Sequence, residues 1–135
     1  MNTESRDVNR HRTPGRGFTL IELLVVMAII ATLLSMAVPR YFDSVKRAEE
    51  ATLRQNLALM RDAIDKHFAD TGRYPSALGD LVTRRYLRAV PVDPITGAAD
   101  TWVVVAPPSA EEGKVYDVKS GSTSLARDGS AVNTW

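Results

Sequence analysis

Hydrophobic residues are distributed very unevenly along this chain. From Phe18 to Val38 the sequence reads FTLIELLVVMAIIATLLSMAV, apolar or small at almost every position, with Glu22 as its one ionisable residue. A helix of about 20 residues spans the roughly 30 Å hydrocarbon core of a bilayer, so this stretch predicts a membrane-spanning helix. After Pro39 the pattern changes. Phe42, Val45, Leu53, Leu57, Met60, Ile64 and Phe68 recur mostly at steps of three or four, the spacing of an amphipathic helix with one face on a core. Glu50 with Arg54, and Asp62 with Lys66, are acid-before-base pairs at i, i+4 on the wet side. The pattern stops at Thr71-Gly72, with Pro75 just beyond. Pro39 removes a backbone donor and crowds the preceding turn, which predicts a kink or local melting there. One rod from about Phe18 to Asp70 follows, half membrane and half globular.

Past Gly72 the helical period gives way to short segments. Leu78, Leu81 and Val82 predict a short helix with Ser76 as its N-cap. Pro91, Pro94 and Gly97 make the next stretch a structured loop, with Asp93-Pro94 initiating a turn. Trp102–Val105 and Lys114–Ser120 read as two strands of an antiparallel hairpin around a turn at Glu111-Glu112-Gly113, with a third short strand towards the end. Within the second strand, alternation sets Val115, Asp117 and Lys119 opposite Tyr116 and Val118. The expected fold class is α+β: a long N-terminal helix packed on a small antiparallel sheet. Four segments result: a leader over 1–17, a transmembrane helix over 18–38, an amphipathic helix over 39–71 and a globular part over 72–135.

Composition narrows the function classes. Lys and Arg total 17 against 16 Asp and Glu, a net charge of +1. Nucleic-acid binding, which shows as a strongly basic face, gains no support. The absence of cysteine excludes disulfides and thiolate chemistry, and two histidines without cysteine make a structural zinc site a poor fit. A membrane-anchored enzyme has as its best candidates His67 or the pair Asp93 and Asp128, but no nucleophile–base spacing, phosphate loop or metal pair accompanies them. The run Lys46-Arg47-Ala48-Glu49-Glu50 reads as a solvated or inter-subunit face.

The segment before the apolar helix is polar, and Arg6, Arg10, Arg12 and Arg16 outnumber Glu4 and Asp7. Arginines at this end keep it cytoplasmic, and Pro14, Gly15 and Gly17 disfavour helix. Two plain readings are available. A secretory signal has Ser35-Met36-Ala37 as a passable cleavage site, but its apolar core is usually about 7–15 residues without an internal acid. An uncleaved anchor explains length and orientation, but not Glu22. The basic leader, Gly17, Phe18 and Glu22 together closely resemble the signal and N-terminal helix of type IV pilins and type II secretion pseudopilins. The stretch G-x-Y-P-x-x-L-x-x-L from Gly72, then Y-L-x-x-x-P-x-D-P-x-T-G from Tyr86, resembles the globular start of G-type major pseudopilins; Ile95 stands where an aromatic is usual.

That resemblance implies cleavage between Gly17 and Phe18 by a prepilin peptidase, then N-methylation of Phe18. It implies a single-pass inner-membrane protein with its C-terminal part periplasmic, which moves into a periplasmic pseudopilus. The partners implied are further copies of itself, other pseudopilins, the peptidase and an inner-membrane platform protein. It implies a structural role in protein export, with a type IV pilus subunit as the alternative; the lack of cysteine and the loop motif lean towards secretion. A DNA-uptake pilin is disfavoured by the balanced charge.

Cleavage exposes a new amine on Phe18, four residues before Glu22 and on the same helix face if both are helical. In a stack of subunits the carboxylate of one copy can meet the amine of its neighbour. Opposite charges attract strongly at low dielectric, while either alone costs desolvation. The resemblance thereby implies that Glu22 is a register device for assembly. Ala28, Ala31, Thr32, Ser35 and Ala37 are small enough for close helix approach.

The G-type resemblance also implies a calcium loop near the end, for which Asp117, Ser120 and Asp128 are the candidate ligands. Calcium takes six to eight oxygens, and acids in this tail are few. The alternative is a loop tied by Asx and Ser turns, with Trp135 capping the core.

Overall fold

The computed structural model describes residues 15–135; the reading of the leader, including Arg6, Arg10, Arg12 and Pro14, lies outside the described residues for positions 1–14. In chain order the elements are α1 (Leu20–Thr71), α2 (Leu78–Thr83), β1 (Val103–Val105) and β2 (Asp117–Lys119), with short 3-10 turns at Ala110–Glu112 and Val132–Thr134. The chain divides into two compact units, the first ending at Pro39 and the second covering Arg40–Trp135.

Helix α1 is 52 residues long and α-helical throughout, Pro39 included. Local melting, one of the two outcomes that proline predicts, is not seen. A proline forfeits one backbone bond and costs about 3 kcal/mol, and long flanking runs of propagating helix tolerate that loss. The helix starts at Leu20 rather than Phe18 and ends at Thr71, where Gly72 follows with φ of 71°.

In the second unit α1 buries Leu53, Leu57, Met60, Ala63, Ile64 and His67. Against this stripe pack Leu81, Leu87, Trp102, Val115, Val118 and Val132. The stripe is shorter than its sequence period. Phe42 and Val45 are exposed and border an open cleft with Ile95, Leu125 and Val132. Phe68 lies at the stripe's edge and stacks on Tyr74 with ring centroids 4.4 Å apart. Of the two expected ion pairs, Asp62–Lys66 forms at 2.8 Å. Glu50 instead accepts the Arg127 amide at 2.6 Å, and Arg54 lies over the Trp135 ring at 4.1 Å. A long-range partner replaces the local one in both cases.

The two strands pair antiparallel, Val103 opposite Lys119 and Val105 opposite Asp117, as the hairpin reading expects. Three details differ from sequence. The link carries a 3-10 turn, followed by Gly113 at φ 120°. A third strand does not form among the described residues; only the isolated bridge Leu125–Ala131 appears. Alternation also fails across Val115 to Val118, both fully buried, because Val115 lies outside β2 and its amide donates to the Pro75 carbonyl. Helix α2 begins one residue later than expected, with Ala77 as N-cap in place of Ser76. Asp80 supplies the cap, its carboxylate accepting the amides of Ser76 at 3.0 Å and Ala77 at 3.3 Å.

Gly113 packs directly on the backbone of Tyr74: an added Cβ would lie 2.3 Å from the Tyr74 carbonyl oxygen. The same Tyr74 amide donates to the Glu112 carbonyl at 2.6 Å, so neither backbone has room to retreat. Gly113→Ala is expected to cost about 2 kcal/mol or more, from the clash and the positive φ together. Thermal unfolding of the variant against wild type measures it.

Candidate assembly site

The polypeptide enters α1 through an irregular stretch. Gly15 to Thr19 has no regular secondary structure, and the Gly17 amide donates to the Gly15 carbonyl at 3.0 Å. Gly17 and Phe18, the residues flanking the expected cut, are both exposed, Phe18 at 87%. An exposed, non-helical backbone is what a protease needs for access.

Thr19 is the N-cap of α1. Its hydroxyl accepts the Glu22 amide at 3.2 Å, and its carbonyl accepts the Leu23 amide at 3.2 Å. The signal for this was present as Thr19-Leu20-Ile21-Glu22, the spacing of a capping box, and it is the functional-site feature that hydropathy reading passes over. It places Glu22 in the first turn of the helix, where the unsatisfied amides of the helix start favour a negative charge. Phe18 is one residue ahead of the cap, outside the helix. With the leader still attached, the shared helix face expected for Phe18 and Glu22 is therefore absent.

Behind Glu22 the helix presents Leu23, Leu24, Ile29, Ile30, Leu33 and Leu34, each roughly half exposed or more. Thr32 and Ser35 hide their hydroxyls by donating to the carbonyls of Ala28 at 2.8 Å and Thr32 at 2.7 Å, which suits an apolar surrounding. Among the described residues this is the one helix long and apolar enough to cross a membrane.

The other candidate residues are engaged elsewhere. Asp117 binds the Arg61 guanidinium at 2.8 Å and its own strand's Val118 amide at 2.7 Å. Ser120, fully buried, donates its hydroxyl to Asp93 at 2.5 Å. Asp128 accepts the amide and hydroxyl of Ser130 at 2.9 and 2.6 Å, and these bonds hold its carboxyl below the usual range. The three expected calcium ligands thus face three different partners. Among the described residues no group of three or more His, Asp or Glu is placed to hold a metal ion. The turns that stand as the alternative are present: Ser120 and Ser122 hydroxyls accept the amides of Ser122 and Ser124, and Trp135 packs on the core.

His67 is buried, its Nδ1 2.7 Å from the Arg73 carbonyl and its ring edge-on to Tyr86. It closes the end of α1 with Thr71, whose hydroxyl donates to the His67 carbonyl at 2.7 Å. Asp93 is buried in its turn. His67, Asp93 and Asp128 each serve the backbone around them.

The description "Prokaryotic N-terminal methylation motif" matches residues 13–38. Type II secretion system core protein G of Klebsiella michiganensis is 26% identical over 92% of this chain and 95% of its own length. The protein of the same name from Pectobacterium carotovorum is 32% identical over 58% of this chain and 61% of its own. Fimbrial protein EcpC of Eikenella corrodens is 29% identical over 85% and 78%. No solved structure gives a significant match. The motif covers the capped, exposed head of α1, and the relatives extend through the packed unit behind it: the chain carries a prokaryotic N-terminal methylation motif and is similar to type II secretion core proteins G and to a fimbrial protein.

Proposed function

We propose that this chain is a pseudopilin subunit of a type II secretion system, a structural protein that assembles into a periplasmic pseudopilus driving protein export. The observation that carries the reading is the methylation motif over residues 13–38 on a chain similar, over nearly its whole length, to a type II secretion core protein G. The prepilin peptidase cuts between Gly17 and Phe18, and Phe18 is then N-methylated. The arginine-bearing leader stays cytoplasmic, and the unit from Arg40 onward stands in the periplasm.

Assembly needs no bond-making chemistry in this chain. In the membrane Glu22 is an uncompensated acid near the start of an apolar helix, a costly state. In the fibre it meets the Phe18 amine of a neighbouring copy. At 4 Å the attraction between two unit charges rises from about 1 kcal/mol in water to about 4 kcal/mol at an effective dielectric of 20. Apolar helix faces then pack copy against copy and with other pseudopilins. The energy input comes from outside the chain, through an inner-membrane platform protein.

A type IV pilus subunit is the second reading, favoured by the similarity to fimbrial protein EcpC. Deleting the gene separates the two. The secretion reading predicts exoproteins retained in the periplasm with surface fibres unaffected. Loss of surface fibres with normal export supports the pilus reading instead.

A further inference from the structure

The carboxylate and carbonyl oxygens of the last segment do converge on a cation, but the cation belongs to the protein. Arg61, on the second half of α1, donates from Nε to Asp117 at 2.8 Å, and from Nη2 to the backbone oxygens of Val118 at 3.1 Å and Trp135 at 2.8 Å. Three oxygens from β2 and the chain's last residue thus share one guanidinium. Two helical turns earlier on the same face, Arg54 covers the Trp135 ring at 4.1 Å. We propose that the Arg61 guanidinium takes the organising role of a bound cation for residues 117–135, and that this chain holds its C-terminal segment without calcium.

The chemistry favours this division of labour. A carboxylate with adjacent carbonyls is the donor set that calcium selects. It is equally the acceptor set for a planar guanidinium, whose fixed fork of N–H donors reaches several oxygens at once. Because Arg61 is covalently part of α1, the arrangement costs no ion binding and does not vary with calcium concentration. A calcium ion at Asp117 would have to displace Arg61 or sit against its positive charge. Ser120 is closed to it as well, its hydroxyl committed to the buried Asp93. Asp128 lies in its own turn with Ser130.

The test uses the full chain in detergent micelles, with thermal unfolding followed by the fluorescence of Trp102 and Trp135. Calcium sites of extracellular modules have dissociation constants of about 0.1–1 mM, so about 10 mM calcium chloride against excess chelator is decisive. The midpoint is expected to agree within about 1 °C in the two conditions; a site of that affinity raises it by roughly 5 °C or more. Arg61→Met is expected to lower the midpoint by roughly 5–15 °C, because three acceptors lose a shared donor. Arg61→Lys is expected to fall between, since a point-charge ammonium cannot fork to all three oxygens; it also keeps the test alive if the methionine variant fails to fold. A calcium-induced rise of 5 °C or more in the wild type overturns the proposal. So does an Arg61→Met or Arg61→Lys protein as stable as wild type.

Discussion

Replacing Glu22 with alanine leaves the protein inserted in the membrane and lowers the yield of assembled fibre at least about tenfold. Insertion is unharmed because alanine removes a charge from an apolar helix, which makes partition into lipid easier. Assembly suffers because each subunit loses its attraction for the neighbour's new amine. Only about 1.4 kcal/mol per contact is enough for a tenfold change in an association constant, and a partly desolvated pair contributes more than that. Glu22→Gln separates charge from shape: it keeps length and hydrogen-bonding capacity, and it is expected to behave like the alanine variant. Thr19 holds the Glu22 amide, so neither substitution disturbs the cap itself. Quantifying sheared or cross-linked fibre against total membrane protein gives the answer. Wild-type fibre yield from Glu22→Ala is incompatible with the assigned role.

The second large effect is on stability, at Asp93. This side chain is fully buried. One carboxylate oxygen accepts the amides of Ile95 at 2.9 Å and Thr96 at 3.4 Å, and the other accepts the Ser120 hydroxyl. Its backbone closes the same turn, the carbonyl accepting the Gly97 amide at 2.8 Å and the amide donating to the Ala98 carbonyl at 3.0 Å. Asp93 therefore ties the loop after α2 to the end of β2. Asp93→Ala strands buried donors, each costing about 1–3 kcal/mol. A total loss of about 3 kcal/mol or more is expected, a midpoint drop of roughly 10–25 °C for a unit of this size. Asp93→Asn keeps an acceptor for the two amides and is expected to lose about half as much. Thermal melts of the two variants beside wild type check the order, and a loss under about 1 kcal/mol for Asp93→Ala contradicts it.

Residues with local consequences were legible in the sequence, and residues whose partners are distant were not. The apolar run, the stripe from Leu53 to Ile64 and the β1–β2 hairpin all follow from periods of 3.6 and 2, which need no knowledge of the rest of the fold. The Asp93-Pro94 turn is legible for the same reason. The partner of Asp93 is not, because Ser120 is 27 residues away, and nothing local marks its hydroxyl as inward-facing. Read alone, Ser120 and Asp117 are candidate metal ligands; their bonds to Asp93 and Arg61 become visible only once the chain is folded. Glu50 and Arg54 have ideal local spacing, but Arg127 and Trp135 outcompete that weak exposed pair. Phe42 and Val45 continue the helical period beyond the point where the globular layer covers it. The start of α1 carried a local signal as well, the capping spacing of Thr19 and Glu22 within four residues, but the apolar run alone set the start two residues early at Phe18.

Processing at the head of α1 comes before everything else, because only a cut before Phe18 supplies the amine that Glu22 is held to meet. Intact mass of the protein extracted from membranes of a host with an active prepilin peptidase tests this directly. The predicted species begins at Phe18, lacks Met1 to Gly17, and carries one added methyl group. A chain that keeps Arg16 and the leader before it contradicts the account.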